Sequence, residues 1–143
     1  MVLPVLPLLL IIGSGVVYHV AQRAAAGASS SPWPLLTLTY GVAFVACLAI
    51  AWAEGGAMFR RVPERGTLLA GVALGMAVLG VELGFFLAYR AGSALNSVSV
   101  LSNLGVTAAL AVIGIAIIGE AMSAARLCGI GLAAGAAWLI VHG

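Results

Sequence analysis

The sequence predicts an all-α integral membrane protein with five transmembrane helices, and three observations carry that prediction. Hydrophobic residues make up 64% of the chain and charged residues only 7%. A soluble domain carries about 25% charged residues to cover its water-facing surface, so lipid must be the main solvent here. The apolar residues fall into long runs, most of them near the roughly 20 residues a helix needs to cross about 30 Å of hydrocarbon. These runs are unbroken instead of alternating at every second residue, which argues against strands.

The first run covers Val2 to Gln22 and ends at Arg23. It has no basic leader and exceeds the roughly 7–15 residues of a signal-peptide core. It therefore reads as a retained helix, with cleavage near Ala24–Ala28 as the alternative. A small-residue loop follows to Ser31, and Pro32-Trp33-Pro34 restarts the chain at an interface, where Trp is favoured. The second run, Trp33 to Ala53, ends at Glu54-Gly55-Gly56. The third, Thr67 to Tyr89, is interrupted only by Glu82, and the fourth, Ser93 to Ile118, is closed by Gly119-Glu120. The fifth is the shortest, because Leu127 to Val141 holds only 15 residues. It reaches spanning length over 123–142 if Ser123 is its N-cap and Arg126 snorkels to the interface. Four spans plus a short or re-entrant last segment is the alternative. Residues 1–143 read as a single transmembrane domain.

Arginine placement favours a cytoplasmic N-terminus in a plasma (inner) membrane. That orientation puts Arg60, Arg61, Arg65 and Arg126 inside against Arg23 and Arg90 outside, with Phe59-Arg60-Arg61 as the strongest marker. Four against two is a weak bias, and dual topology stays open. The net charge of +2, from six arginines and four acids, is too scattered for a nucleic-acid surface. Cys47 and Cys128 lie in apolar runs without ligand spacing, so they read as buried free thiols and not as a disulfide or a metal site. No metal triad, nucleophile elbow or phosphate loop is present. The expectation is a non-enzyme without cofactor or metal, whose partners are membrane lipid and a small-molecule substrate.

Glu82 is the residue that needs explaining. An ionised side chain at bilayer depth costs roughly 3 kcal/mol on insertion scales. A carboxyl removed from water can exchange a proton near neutral pH, or hold a cation when ionised; the bland alternative is a protonated acid serving as a structural hydrogen-bond donor. Counting back from the outer helix ends, Glu82 lies eight residues before Arg90, about 12 Å down. Tyr40 lies seven residues past Trp33 and His19 four before Arg23, each about 6–10 Å down. On the fourth helix Asn96, Ser99, Asn103 and Thr107 recur at spacings that share one helical face. Such a face must turn toward protein or a water-filled cavity, either as interhelical glue or as a cavity lining. Glu82, Asn103, Ser99, Asn96, Tyr40 and His19 are thus the candidate substrate- or proton-binding residues, in one layer that also takes in Tyr18. Tyr89, beside Arg90, reads instead as interface belt. Gly71/Gly75, Gly80/Gly84 and Gly131/Gly135 have the small-xxx-small spacing that lets helices approach closely; the first two pairs, both on the third helix, predict tight packing around Glu82, the third a subunit contact.

The stretch Phe85-Phe86-Leu87-Ala88-Tyr89-Arg90-Ala91-Gly92, followed by Leu95 to Asn103, Gly119-Glu120-Ala121-Met122-Ser123 and Gly129, resembles a single five-helix EamA-like repeat of the drug/metabolite transporter superfamily. The resemblance rests on about the last half of the chain, with the first two helices matching in number and length. It implies a small secondary transporter working by alternating access, with a second copy, antiparallel in one arrangement, completing a homodimer around a midplane site. The cargo would be a small metabolite, a lipid-like compound or a cation. The related small multidrug resistance family carries its carboxylate on the first helix, where this chain has only His19, so proton coupling would fall to Glu82 on the third. The competing class is a non-transporting membrane subunit in which Glu82 is structural.

Overall fold

The computed structural model describes residues 4–56, 63–119 and 121–143. Phe59-Arg60-Arg61, the expected cytoplasmic marker, and Glu120 lie outside the described residues. Five α-helices follow in order: α1 Val5–Ala28, α2 Trp33–Ala53, α3 Arg65–Arg90, α4 Leu95–Ile113, which a π-helical turn extends over Gly114–Ile118, and α5 Ala124–His142. Among the described residues there is no strand. All five are long and apolar enough to cross a membrane. α5 is a single unbroken helix of 19 residues, about 28 Å long, so the re-entrant alternative for the last segment does not describe it.

Local chemistry explains most of the helix ends. Pro7 and Pro34 sit in the first turns of α1 and α2, where a missing N–H costs no intrahelical bond. α3 and α4 are joined by a tight turn at Gly92, whose φ of +89° a residue with a Cβ rarely adopts. Gly119, at φ +74°, ends the π turn, its N–H returning to the carbonyl of Gly114. Ser123 caps α5, its hydroxyl accepting from the Arg126 N–H at 3.2 Å. α1 departs from the expected boundary. It continues six residues past Gln22 because Arg23 and the alanines at 24–26 are strong helix formers, so the expected loop begins only at Ser29.

The described residues cluster into two compact units, one of residues 1–21 and 91–143 and one of residues 22–90. In the first, α4 and α5 approach each other closely. In the second, burial concentrates on one row per helix. Gln22 and Ala26 come from the end of α1, Leu36 from the start of α2, and Glu82, Phe86 and Tyr89 from the end of α3. The spacings of four, and of four and three, are those of single helical faces.

Elsewhere the helices bury little within the chain. Only 6% of each spanning window is buried, and most large apolar side chains are exposed, as expected of surfaces meant for lipid. Three expectations change accordingly. Cys47 and Cys128 are free but exposed, not buried. A Cβ added at Gly71, Gly75, Gly80 or Gly84 would meet nothing within 4 Å, so these glycines do not mark a close helix approach around Glu82. The small-residue spacing makes a flat strip, but here the strip points away from the buried row. Tyr89 is 5% exposed and belongs to that buried row, not to an interface belt.

Candidate functional site

Glu82 and Gln22 are the buried polar residues of the described chain, 7% and 5% exposed. Gln22 Nε2 donates a short hydrogen bond to Glu82 Oε2. An ionised carboxylate only accepts, and the Gln22 nitrogen is the amide atom that can serve it. Tyr40 lies within electrostatic reach of Glu82, and its hydroxyl is buried with no hydrogen-bond partner among the described residues. Phe86, one turn along from Glu82, is fully buried. The residues at its outer end are tied to the loop: Arg90 Nη1 donates to the carbonyl of Ser30 at 2.7 Å, and the Ser29 hydroxyl donates to the carbonyl of Ser31 at 2.7 Å. Tyr89 stacks on Phe85 at 6.1 Å between ring centroids and feels the charge of Arg23.

The cluster is assembled by depth. Gln22 lies six residues before the end of α1, Tyr40 seven past the start of α2, and Glu82 eight before the end of α3, each about 9–12 Å from that end. Sequence reasoning missed Gln22 because it ended the first helix there. Extending α1 to Ala28 moves its layer one turn along, from His19 to Gln22. The helix-forming alanines after Arg23 were the available signal.

The other candidates belong to the unit of residues 1–21 and 91–143. His19 is half-buried, its ring edge-on to that of Tyr18 at 5.1 Å. Asn96 is exposed near the start of α4, its Oδ1 accepting from the Ser97 N–H at 2.9 Å. Farther along, Asn103 Nδ2 donates to the carbonyl of Ser99 and Thr107 Oγ1 to that of Asn103, both at 2.8 Å, so these donors are satisfied within their own helix. Ser99, Asn103 and Thr107 line a groove of about 730 Å³ between α4 and α5, which Arg126 and Ile130 border from the α5 side. The structure thus brings Glu82 and Tyr40 together in one unit, and Ser99 and Asn103 together in the other.

Among the described residues no group of His, Cys, Asp and Glu is placed to hold a metal ion. What the Glu82 cluster can do chemically is change protonation without losing its hydrogen bonds. Ionised, Glu82 accepts from the Gln22 nitrogen; a protonated acid there could donate to the oxygen of the same amide once the amide turned over. No family model, curated protein or solved structure matches the chain.

Proposed function

We propose that the chain is a small secondary membrane transporter, moving a small metabolite, lipid-like or cationic compound by alternating access, with proton uptake at Glu82 driving the exchange. The observation that carries this is a buried acid whose hydrogen-bond partner is the neutral amide of Gln22. A carboxylate held by an amide keeps access to both protonation states, and an ionisable group kept inside a spanning helix marks a transport or proton pathway more often than a structural one. The five spanning helices, and the likeness of residues 85–129 to one repeat of the drug/metabolite transporter superfamily, support the same reading. A chain of one repeat would work as a homodimer, antiparallel in the arrangement that restores an inverted pair. The extensive exposed apolar surface leaves room for a second copy.

The test is flux into proteoliposomes holding the chain alone, across a broad panel of cations, amphiphiles and metabolites under an imposed pH gradient. Wild type is expected to accumulate at least one member, and Glu82→Gln to lose the dependence on the gradient. Absence of flux for the whole panel refutes transport, and unchanged gradient-driven flux in Glu82→Gln refutes coupling through this residue. The competing role, a subunit that packs beside another protein, draws on the same bond: an interhelical clamp from Gln22 to Glu82 needs no proton. It predicts no flux in either protein, together with loss of stability in both Glu82→Gln and Gln22→Leu.

A further inference from the structure

We infer that the groove between α4 and α5 is a binding site for an anionic phospholipid, anchored by Arg126. This inference concerns binding and stands whether or not the chain transports anything. The groove holds about 730 Å³, within the roughly 300–1,000 Å³ of small-ligand sites, and Arg126 is the one charged residue among the described residues that line it. Arg126 occupies the first turn of α5, where a spanning helix meets the headgroup region. Its guanidinium has no hydrogen-bond or ion-pair partner among the described residues, its backbone N–H alone being engaged by Ser123. From there the groove follows α4 back from Ala111 to Ser99, about 18 Å of helix.

The walls decide the class of occupant. Leu104, Leu110 and Ile130 supply apolar surface. The Thr107 hydroxyl and one N–H of the Asn103 amide donate to their own helix, so an acyl chain lying over this stretch strands only the second amide N–H and the amide oxygen. A free phosphate would find one cation and gain nothing from the rest of the groove. A lipid matches both halves, with its phosphate at Arg126 and its tail along the walls. A cationic amphiphile would set like charges together at the mouth.

The experiment titrates delipidated full-length chain in detergent with phosphatidylglycerol or phosphatidylcholine and reads bound lipid per chain by native mass spectrometry. Wild type should hold one phosphatidylglycerol about fivefold more tightly than phosphatidylcholine, the advantage of one basic residue at an anionic headgroup. Arg126→Gln should abolish that preference and Arg126→Lys should keep most of it. Gly129→Leu should weaken both lipids. Gly129 lines the groove and a Cβ there meets nothing within 4 Å, so the first carbon of the new side chain has room, and helix content by circular dichroism checks each fold. An unchanged preference in Arg126→Gln, or unchanged binding in folded Gly129→Leu, overturns the proposal. So does cross-linking that finds a second copy of the chain seated in the groove of the lipid-free protein and staying there as lipid is added.

Discussion

Replacing Gln22 by Leu keeps the volume of the side chain but leaves the Glu82 carboxylate without its donor. A hydrogen bond to a charged group contributes about 1.5–3 kcal/mol in water-soluble proteins. Polar pairs between membrane helices average about 0.6 and reach about 1.7 kcal/mol, because the unfolded chain in lipid also finds partners. Here the two residues are 5% and 7% exposed, so water cannot stand in for the lost partner. The upper membrane value applies, about 1.5 kcal/mol of coupling, or about tenfold in the unfolding equilibrium. Each single variant, Gln22→Leu or Glu82→Leu, should cost about 2 kcal/mol, since each strands a buried polar partner. With about 1.5 kcal/mol of coupling, the double variant should cost about 2.5 kcal/mol, short of the roughly 4 kcal/mol that additive losses would give. Equilibrium unfolding in mixed micelles with increasing SDS, followed by circular dichroism, gives all four corners of the cycle. Additive losses, with a coupling below about 0.5 kcal/mol, would show that the bond does not hold the cluster together.

Three further outcomes follow from single contacts. Tyr40→Phe removes a buried hydroxyl with no partner among the described residues, so stability in the same assay should be unchanged or up to about 1 kcal/mol higher; a loss of that size would reveal a hidden partner. Arg90→Ala releases the Ser30 carbonyl and should speed hydrogen exchange at residues 29–31 while global stability shifts by about 0.5 kcal/mol or less; exchange at wild-type rates would show that Arg90 does not fasten the loop. Ser123→Ala should cost about 1 kcal/mol and fray the first turn of α5, with Ser123→Asp restoring it, as read by exchange at the amide of Arg126.

The helices were legible in the sequence because lipid imposes length and composition together. Runs of about 20 apolar residues admit few other structures, and helical propensity or capping then settles most ends. The start of α2 at Pro32-Trp33-Pro34 and the Ser123 cap of α5 could be read in advance for that reason. The end of α1 could not, because a charge after an apolar run reads as a boundary, while the alanines beyond Arg23 extend the helix. That difference of six residues pairs His19, about one turn short of Gln22, with the layer of Glu82. Which faces are buried was less legible still. The helices are apolar all round, so periodicity says little about which side meets protein, and Tyr89 could not be told from an interface tyrosine.

The two polar features of the chain satisfy their hydrogen bonds by different means, and the difference bears on what each implies. The α4 stripe is largely self-contained, with Asn103 and Thr107 donating to carbonyls one turn back along their own helix. Such a stripe can face a lipid-filled groove at little cost, so its regular spacing is not by itself evidence of a water-filled path. Glu82 has no such local solution. Its partner comes from a different helix, 60 residues away in sequence, and the bond forms only if both helix ends are set to the same depth. A buried acid whose hydrogen bond depends on how helices are placed loses or regains that bond when they move, and the bond in turn favours the placement that makes it. That reciprocity is what coupled transport requires. It is why the single acid of α3 carries more functional weight than the longer and more regular stripe of α4.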